Sequence, residues 1–274
     1  MVEAPYYAAL RDSVEAAYAA APDRVSPGLE VCDCPVCMTE EVRRKIIDKP
    51  CRALESWLIA EYTNSAHGVP SNLDDLAALL PRYLDLMAKG EATDALGIGV
   101  ELSRFGGAVA VSKGAFPPPG LRAAYLDWAD LMLLHGGWLR ATDGPKGGVG
   151  EDRLSPFYLF QAIAAGGVPV DVVTGALESL FADPEVGQAA KIHFFAELGK
   201  TWERRGFDLY ALKYIDEDGR AALVDWLQRW LSSWELEELL TEPGVTGPPF
   251  WAEQVQVAIS NREALTARSI AEEE

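Results

Sequence analysis

The stretch DPEVGQAAKIHFFAELGKTWERRG, residues 183–206, carries the clearest periodic signal in the chain. Asp183-Pro184-Glu185 is a helix start: the aspartate accepts free backbone N–H groups, proline presets φ, and the acids lie at the positive end of the helix dipole. From there Val186, Ala190, Phe194, Leu198 and Trp202 recur every four residues. That spacing places them on one side of a helix, and Gly206 supplies the stop.

The same period extends outward in both directions. Tyr7, Leu10, Val14 and Tyr18 form a stripe ended by Pro22. Thr39 caps a helix from Glu40 that stops before Pro50, and Leu54, Trp57, Leu58 and Tyr62 make the next apolar face, closed by Gly68. Ser71 with Asp74 has capping-box spacing ahead of Leu73, Leu76, Leu80, Leu84 and Met87, and Pro81 is expected to kink that helix or restart it. A shorter helix runs from Thr93 to a stop at Gly106-Gly107. Leu121, Tyr125, Trp128, Met132 and His135 share one face. Helices follow from Pro156, from a cap at Asp171, and after a turn at Asp216-Glu217-Asp218-Gly219. Leu223, Trp226, Leu227 and Trp230 form a further stripe. Ser232 with Glu235 opens a short helix to Leu240, and a final helix holds Trp251, Val255, Ala258 and Ile259.

Only Ala108–Val111 and Val168–Val170 are candidates for short strands, so the expected fold is all-α. About ten helices are expected, in an irregular antiparallel helical array or bundle. Residues 1–274 are read as a single helical domain. Residues 108–118, running into Pro117-Pro118-Pro119-Gly120, form the expected exposed connection and the one candidate boundary.

Composition narrows the partners. The chain has 274 residues, 42 acidic and 24 basic, for a net charge of −18. A field of that sign repels phosphate backbones and anionic lipids, so neither nucleic acid nor membrane is an expected partner; a basic protein is. The longest uncharged run, Leu154 to Val170, is broken by Pro156, Gly166, Gly167 and Pro169 and is too short to span a bilayer. Met1-Val2-Glu3-Ala4-Pro5 opens with an acid rather than a basic, apolar leader, so a cytoplasmic location is expected. Acidity concentrates at the C-terminal end, where Glu272-Glu273-Glu274 is read as a frayed tail.

The cysteines are the constellation with metal-binding chemistry. Cys32-x-Cys34-Pro35-Val36-Cys37, with Cys51 further on, supplies four soft ligands within twenty residues. A Cys-x-x-Cys turn lets two thiolates face one ion, and Cys51 with either Cys32 or His67 completes a tetrahedral structural-zinc site. Against this stand the missing second pair of cysteines and the absence of a glycine after Cys37. Plain thiols with no cofactor are the alternative. A redox reading of Cys34-Pro35-Val36-Cys37 lacks the flanking strand that such motifs require.

His193 and Glu197, one turn apart, have the spacing of a general base and its orienting carboxylate, though a partly buried, hydrogen-bonded histidine bordering the Val186, Ala190 and Phe194 stripe explains the pair more simply. Gly144-Pro145-Lys146-Gly147-Gly148-Val149-Gly150 lacks P-loop spacing and is read as a surface loop. Trp226, Trp230 and Trp234, with Trp202 and Trp251, are expected in the core; one standing exposed would mark a partner groove.

Four patches, Cys34–Val42, Asp75–Leu86, Gly206–Leu209 and Trp226–Ser232, together resemble an uncharacterised bacterial family of helical proteins. No activity travels with that resemblance. The reading that follows is a non-enzymatic helical protein acting through protein–protein interaction, of immunity-like or antitoxin-like type. The alternatives are an enzyme with a His/carboxylate pocket and a cysteine-based zinc or redox sensor.

Overall fold

The computed structural model describes residues 5–32, 37–65, 72–91, 93, 101–136, 156–205, 213, 215–233, 236 and 249–262. Among them the fold is all-α, with eleven α-helices and no strand. They are α1 (Pro5–Ala20), α2 (Glu40–Asp48), α3 (Ser56–Ser65), α4 (Leu73–Ala88), α5 (Ser103–Val111) and α6 (Pro119–Leu131). Then come α7 (Pro156–Ala165), α8 (Val170–Phe181), α9 (Gly187–Arg205), α10 (Glu217–Leu231) and α11 (Pro249–Ser260). A 3₁₀ turn, Cys51–Ala53, precedes α3, and a π-helical turn, Met132–Gly136, continues α6.

Side-chain caps explain several of the helix starts. Thr39 caps α2, its hydroxyl accepting from the Val42 N–H at 3.3 Å, and Glu40 and Glu41 occupy the first turn as the dipole favours. Asp183 accepts from the N–H groups of Glu185 and Val186 and so feeds the chain into α9. The cap of α4 is Asn72, whose Oδ1 takes the Asp74 and Asp75 N–H groups, where Ser71 was expected to begin the helix.

Several expectations are corrected. Of the two outcomes expected at Pro81, a kink or a restart, the restart does not occur: α4 runs from Leu73 to Ala88 as one helix. Pro81 is itself buried there, among neighbours that hold the helix in place of the missing N–H. Gly106 and Gly107 lie inside α5 instead of stopping a helix, because Gly106 lets α5 touch the backbone of α7: a Cβ there would stand 2.0 Å from the Ala165 carbonyl oxygen. Ala108–Val111 is therefore helical, Val168 belongs to a connection and Val170 opens α8, so neither strand candidate forms. The connection before α6 shrinks to 112–118, and it is not wholly exposed: Phe116 is buried and stacks on Phe105. Asp171 sits within the first turn of α8 rather than capping it, since the N-cap is Pro169. Asp216 to Gly219 is the start of α10, with Asp216 accepting the Gly219 N–H at 2.8 Å.

Buried side chains form one continuous apolar cluster from Leu10 of α1 to Ile259 of α11. In its N-terminal part α1 packs on α4 and α6, so helices on both sides of residues 112–118 touch. In its C-terminal part Phe194 is surrounded by Phe157, Phe160, Phe181 and Trp226 in edge-to-face geometry, with centroids 5.3–6.0 Å away. There α9 approaches α11 closely enough that a Cβ at Gly199 would meet the Gln254 carbonyl oxygen at 1.9 Å. No helix among the described residues is long and apolar enough to cross a membrane.

Candidate functional site

Helix α3 separates an inward from an outward face. Leu58, Ile59, Tyr62 and Ser65 turn inward and are buried. At 100° per residue, Trp57 lies about 130° from the middle of that set. It is 46% exposed, which corrects the expectation that it shares the apolar face of Leu54, Leu58 and Tyr62. Among the described residues, it and Val111 are the exposed large hydrophobics.

One ion pair edges this indole. The Lys45 ammonium lies 5.6 Å from the ring centroid, a cation–π arrangement, and also pairs with Glu41 at 2.8 Å. Glu40 pairs with Arg43 and Arg44, both at 3.1 Å, and Lys49 with Glu55 at 2.7 Å. Hydrogen bonds from these cations hold the carboxyls of Glu40, Glu41 and Glu55 below the usual range. The basic cluster Arg43-Arg44-Lys45 is thus matched by acids of its own helix and presents no bare cationic patch. Glu61, one turn after Trp57, is also exposed.

The other end of α3 holds the cysteine segment. Cys32 donates its N–H to the Ser65 carbonyl at 3.1 Å, and the Ser65 hydroxyl donates to the Cys37 carbonyl at 2.9 Å. Cys32 and Cys37 are half-buried, whereas Cys51 is buried beside Val25 and Asp23. Burial pushes the Cys51 thiol up to about 12. Cys34 and His67 lie outside the described residues, and among the described ones no group of three or more His, Cys, Asp or Glu gathers as metal ligands.

Between α3, α4 and α5 lies a polar cluster that the sequence reading missed. The Thr63 hydroxyl is 2.6 Å from the Tyr83 hydroxyl and 2.6 Å from the Thr93 carbonyl. Arg104 stacks on Tyr62, 4.8 Å from its centroid, and reaches the Thr63 carbonyl. Glu101 is buried close enough to act on Tyr83, and burial drives the Tyr62 and Tyr83 phenols above their ordinary range. Only the spacing of Glu101 and Arg104, one helical turn apart beside aromatic helices, could have signalled it.

The remaining candidates are placed as follows. His193 is half-buried on α9, and the Glu197 carboxylate pairs with Lys200 at 3.1 Å. His135 stands half-buried in the π-helical turn. Trp226 is core, its indole N–H donating to Glu178 at 2.9 Å, and Trp230 is half-buried against Phe181. Trp234, the side chains of Trp202 and Trp251, and residues 144–150 lie outside the described set. Compared with family models, curated proteins and solved structures, the chain gave no match in any of the three.

Proposed function

We propose that this chain works by binding another protein in the cytoplasm, through the outward face of α3, without catalysing a reaction. The exposed indole of Trp57 carries the reading. Trp57 is already about half covered, so covering the rest would return on the order of 1 kcal/mol, and tryptophan is a frequent energetic anchor of interfaces. The Lys45–Glu41 ion pair beside it suits a rim: it confers geometry and stays solvated. The net charge of −18 steers a basic partner toward the molecule. An immunity-like or antitoxin-like protein, covering the basic surface of a harmful partner, is the form that fits both features.

Support for an enzyme is thinner. Among the described residues, Tyr18, Tyr62, Tyr83, Tyr125 and Cys51 are all raised, with burial the leading cause at each. These are raised phenols and a raised thiol, the opposite of an activated nucleophile at neutral pH.

The test uses the full chain as bait in an extract of its native host. A partner retained by the wild type is then titrated against Trp57→Ala and, as a control at a second exposed apolar position, Val111→Ala. The reading expects Trp57→Ala to weaken binding by about 30-fold or more, the scale of an interface anchor, with an unchanged melting curve. Equal affinity of the two variants, or no retained partner, overturns it.

A further inference from the structure

Two of the cysteines share one anchor. The chain enters the segment at Cys32, whose N–H binds the Ser65 carbonyl, and leaves it at Cys37, whose carbonyl receives the Ser65 hydroxyl. Ser65 is the last residue of α3 and is 1% exposed, so the clamp belongs to the packed part of the molecule. Both ends of a six-residue span are therefore held within hydrogen-bond reach of a single side chain and its backbone. That arrangement removes much of the loop-closure entropy that two separate ligands would otherwise lose on meeting one ion.

Cys51 sits in a different setting. Its N–H is committed to the Asp23 carbonyl at 2.7 Å, its side chain is 1% exposed, and it belongs to the core cluster. The sequence alone offered Cys51 as an equal member of the ligand set. Among the described residues no three His, Cys, Asp or Glu side chains gather, so buried Cys51 does not join the other two.

We propose that the clamped base of this segment binds one soft divalent cation of the zinc class through the Sγ atoms of Cys32 and Cys37, with Cys51 outside the site. Each Cys–metal bond forms as the thiol releases its proton to water, so binding liberates two protons from this pair and weakens as pH falls. The pair supplies half of a tetrahedral shell, and water or a further donor completes it. Ser65 acts as a positioning residue, since it touches the backbone of both ligands and not the ion. The site is independent of any protein bound at Trp57.

Zinc ion, delivered from a chromogenic chelator to the reduced full chain, tests the assignment. One zinc per chain is expected, with affinity reduced about 100-fold or more in Cys32→Ser and in Cys37→Ser. Ser65→Ala should lose about 10-fold, the scale of an outer-shell support, and Cys51→Ala should bind as the wild type does. Circular dichroism of each variant separates a lost ligand from a lost fold. Cobalt(II) in place of zinc gives a readout in the unmutated chain and its two Ser variants alone: sulfur-to-metal charge-transfer bands that vanish with either Cys32 or Cys37. Wild-type protein that takes up no zinc, retention of zinc by both Ser variants, or loss confined to a folded Cys51→Ala overturns the proposal.

Discussion

Gly106 of α5 stands directly against Ala165 of α7: a Cβ on the glycine would lie 2.0 Å from the Ala165 carbonyl oxygen and 3.2 Å from the Gly167 nitrogen. The obstacle is backbone, not the end of a flexible side chain, so a methyl group there has to push two helices apart.

Gly106→Ala should therefore destabilise the fold, although alanine is the better helix former by up to about 1 kcal/mol. Overpacking of a tight contact costs about 1–3 kcal/mol, and at this position the upper end applies. A drop in melting temperature of about 4–8 °C is expected for a chain of this size. Gly175→Ala is the control. That glycine lies within α8 with open space around its missing Cβ, so the same substitution there should leave stability unchanged or slightly raised. If the two variants melt alike, the close approach of α5 to α7 is wrong.

Gly106 also shows where sequence reading reaches its limit. A glycine pair after a helical stripe has the same local signature whether the helix stops or a neighbour's backbone presses against it, and only the partner helix 59 residues later decides. Pro81 is the same case, since buried neighbours hold α4 together through a residue that local propensity would make a break. The helices Gly187–Arg205 and Glu217–Leu231 were legible because their stripes are long and the side chains that lead into them, Asp183 and Asp216, are near in sequence, although the first helix begins at Gly187 rather than at the expected Asp183-Pro184-Glu185. Of the candidate site, the Cys segment was legible by composition, but its anchor Ser65, 28 residues beyond Cys37, was not. Trp57 was misread because Leu54 precedes the helix in the 3₁₀ turn's C-cap, so drawing the stripe through both residues rotated the face outward.

Asp75 offers a test of how the segment after α1 is attached. Its buried carboxylate accepts both the Ser26 backbone N–H and the Ser26 hydroxyl, the latter at 3.0 Å, while its own N–H is capped by Asn72. A carboxylate in the first turn of α4 is favoured by the dipole, which helps explain why an acid is tolerated at 3% exposure. Asp75→Ala leaves the Ser26 donors without this acceptor and should cost about 2–3 kcal/mol in urea denaturation. Ser26→Ala removes one of the two bonds and should cost about 1 kcal/mol. Because they share a partner, the double variant should fall short of the sum; strict additivity would show that the two residues are not coupled.

Alkaline stability follows from Cys51. Burial holds its thiol at about 12 against an ordinary value of 9.0. Below pH 9 the thiol is protonated in both the folded and unfolded chain, and its contribution to stability is intact. Between about 9 and about 12 the unfolded chain releases a proton that the folded chain retains, so unfolding gains about 1.4 kcal/mol per pH unit from this group. Tyr83 and Tyr125, raised in the same direction by burial, add to the loss once unfolded tyrosine begins to ionise. Urea midpoints measured with a chelator present should stay level from pH 7 to 8.5 and then fall. In Cys51→Ala the midpoint at neutral pH is lower, since a buried side chain has been trimmed, but the first part of the alkaline fall, between about pH 9 and the onset of tyrosine ionisation, should be shallower by the contribution of one thiol. At pH 8 a chromogenic disulfide reagent should consume Cys32 and Cys37 on the native chain and reach Cys51 only as the protein unfolds. Rapid modification of Cys51 in the native state, or an alkaline slope unchanged by its removal, would show that this thiol is not sealed in the core.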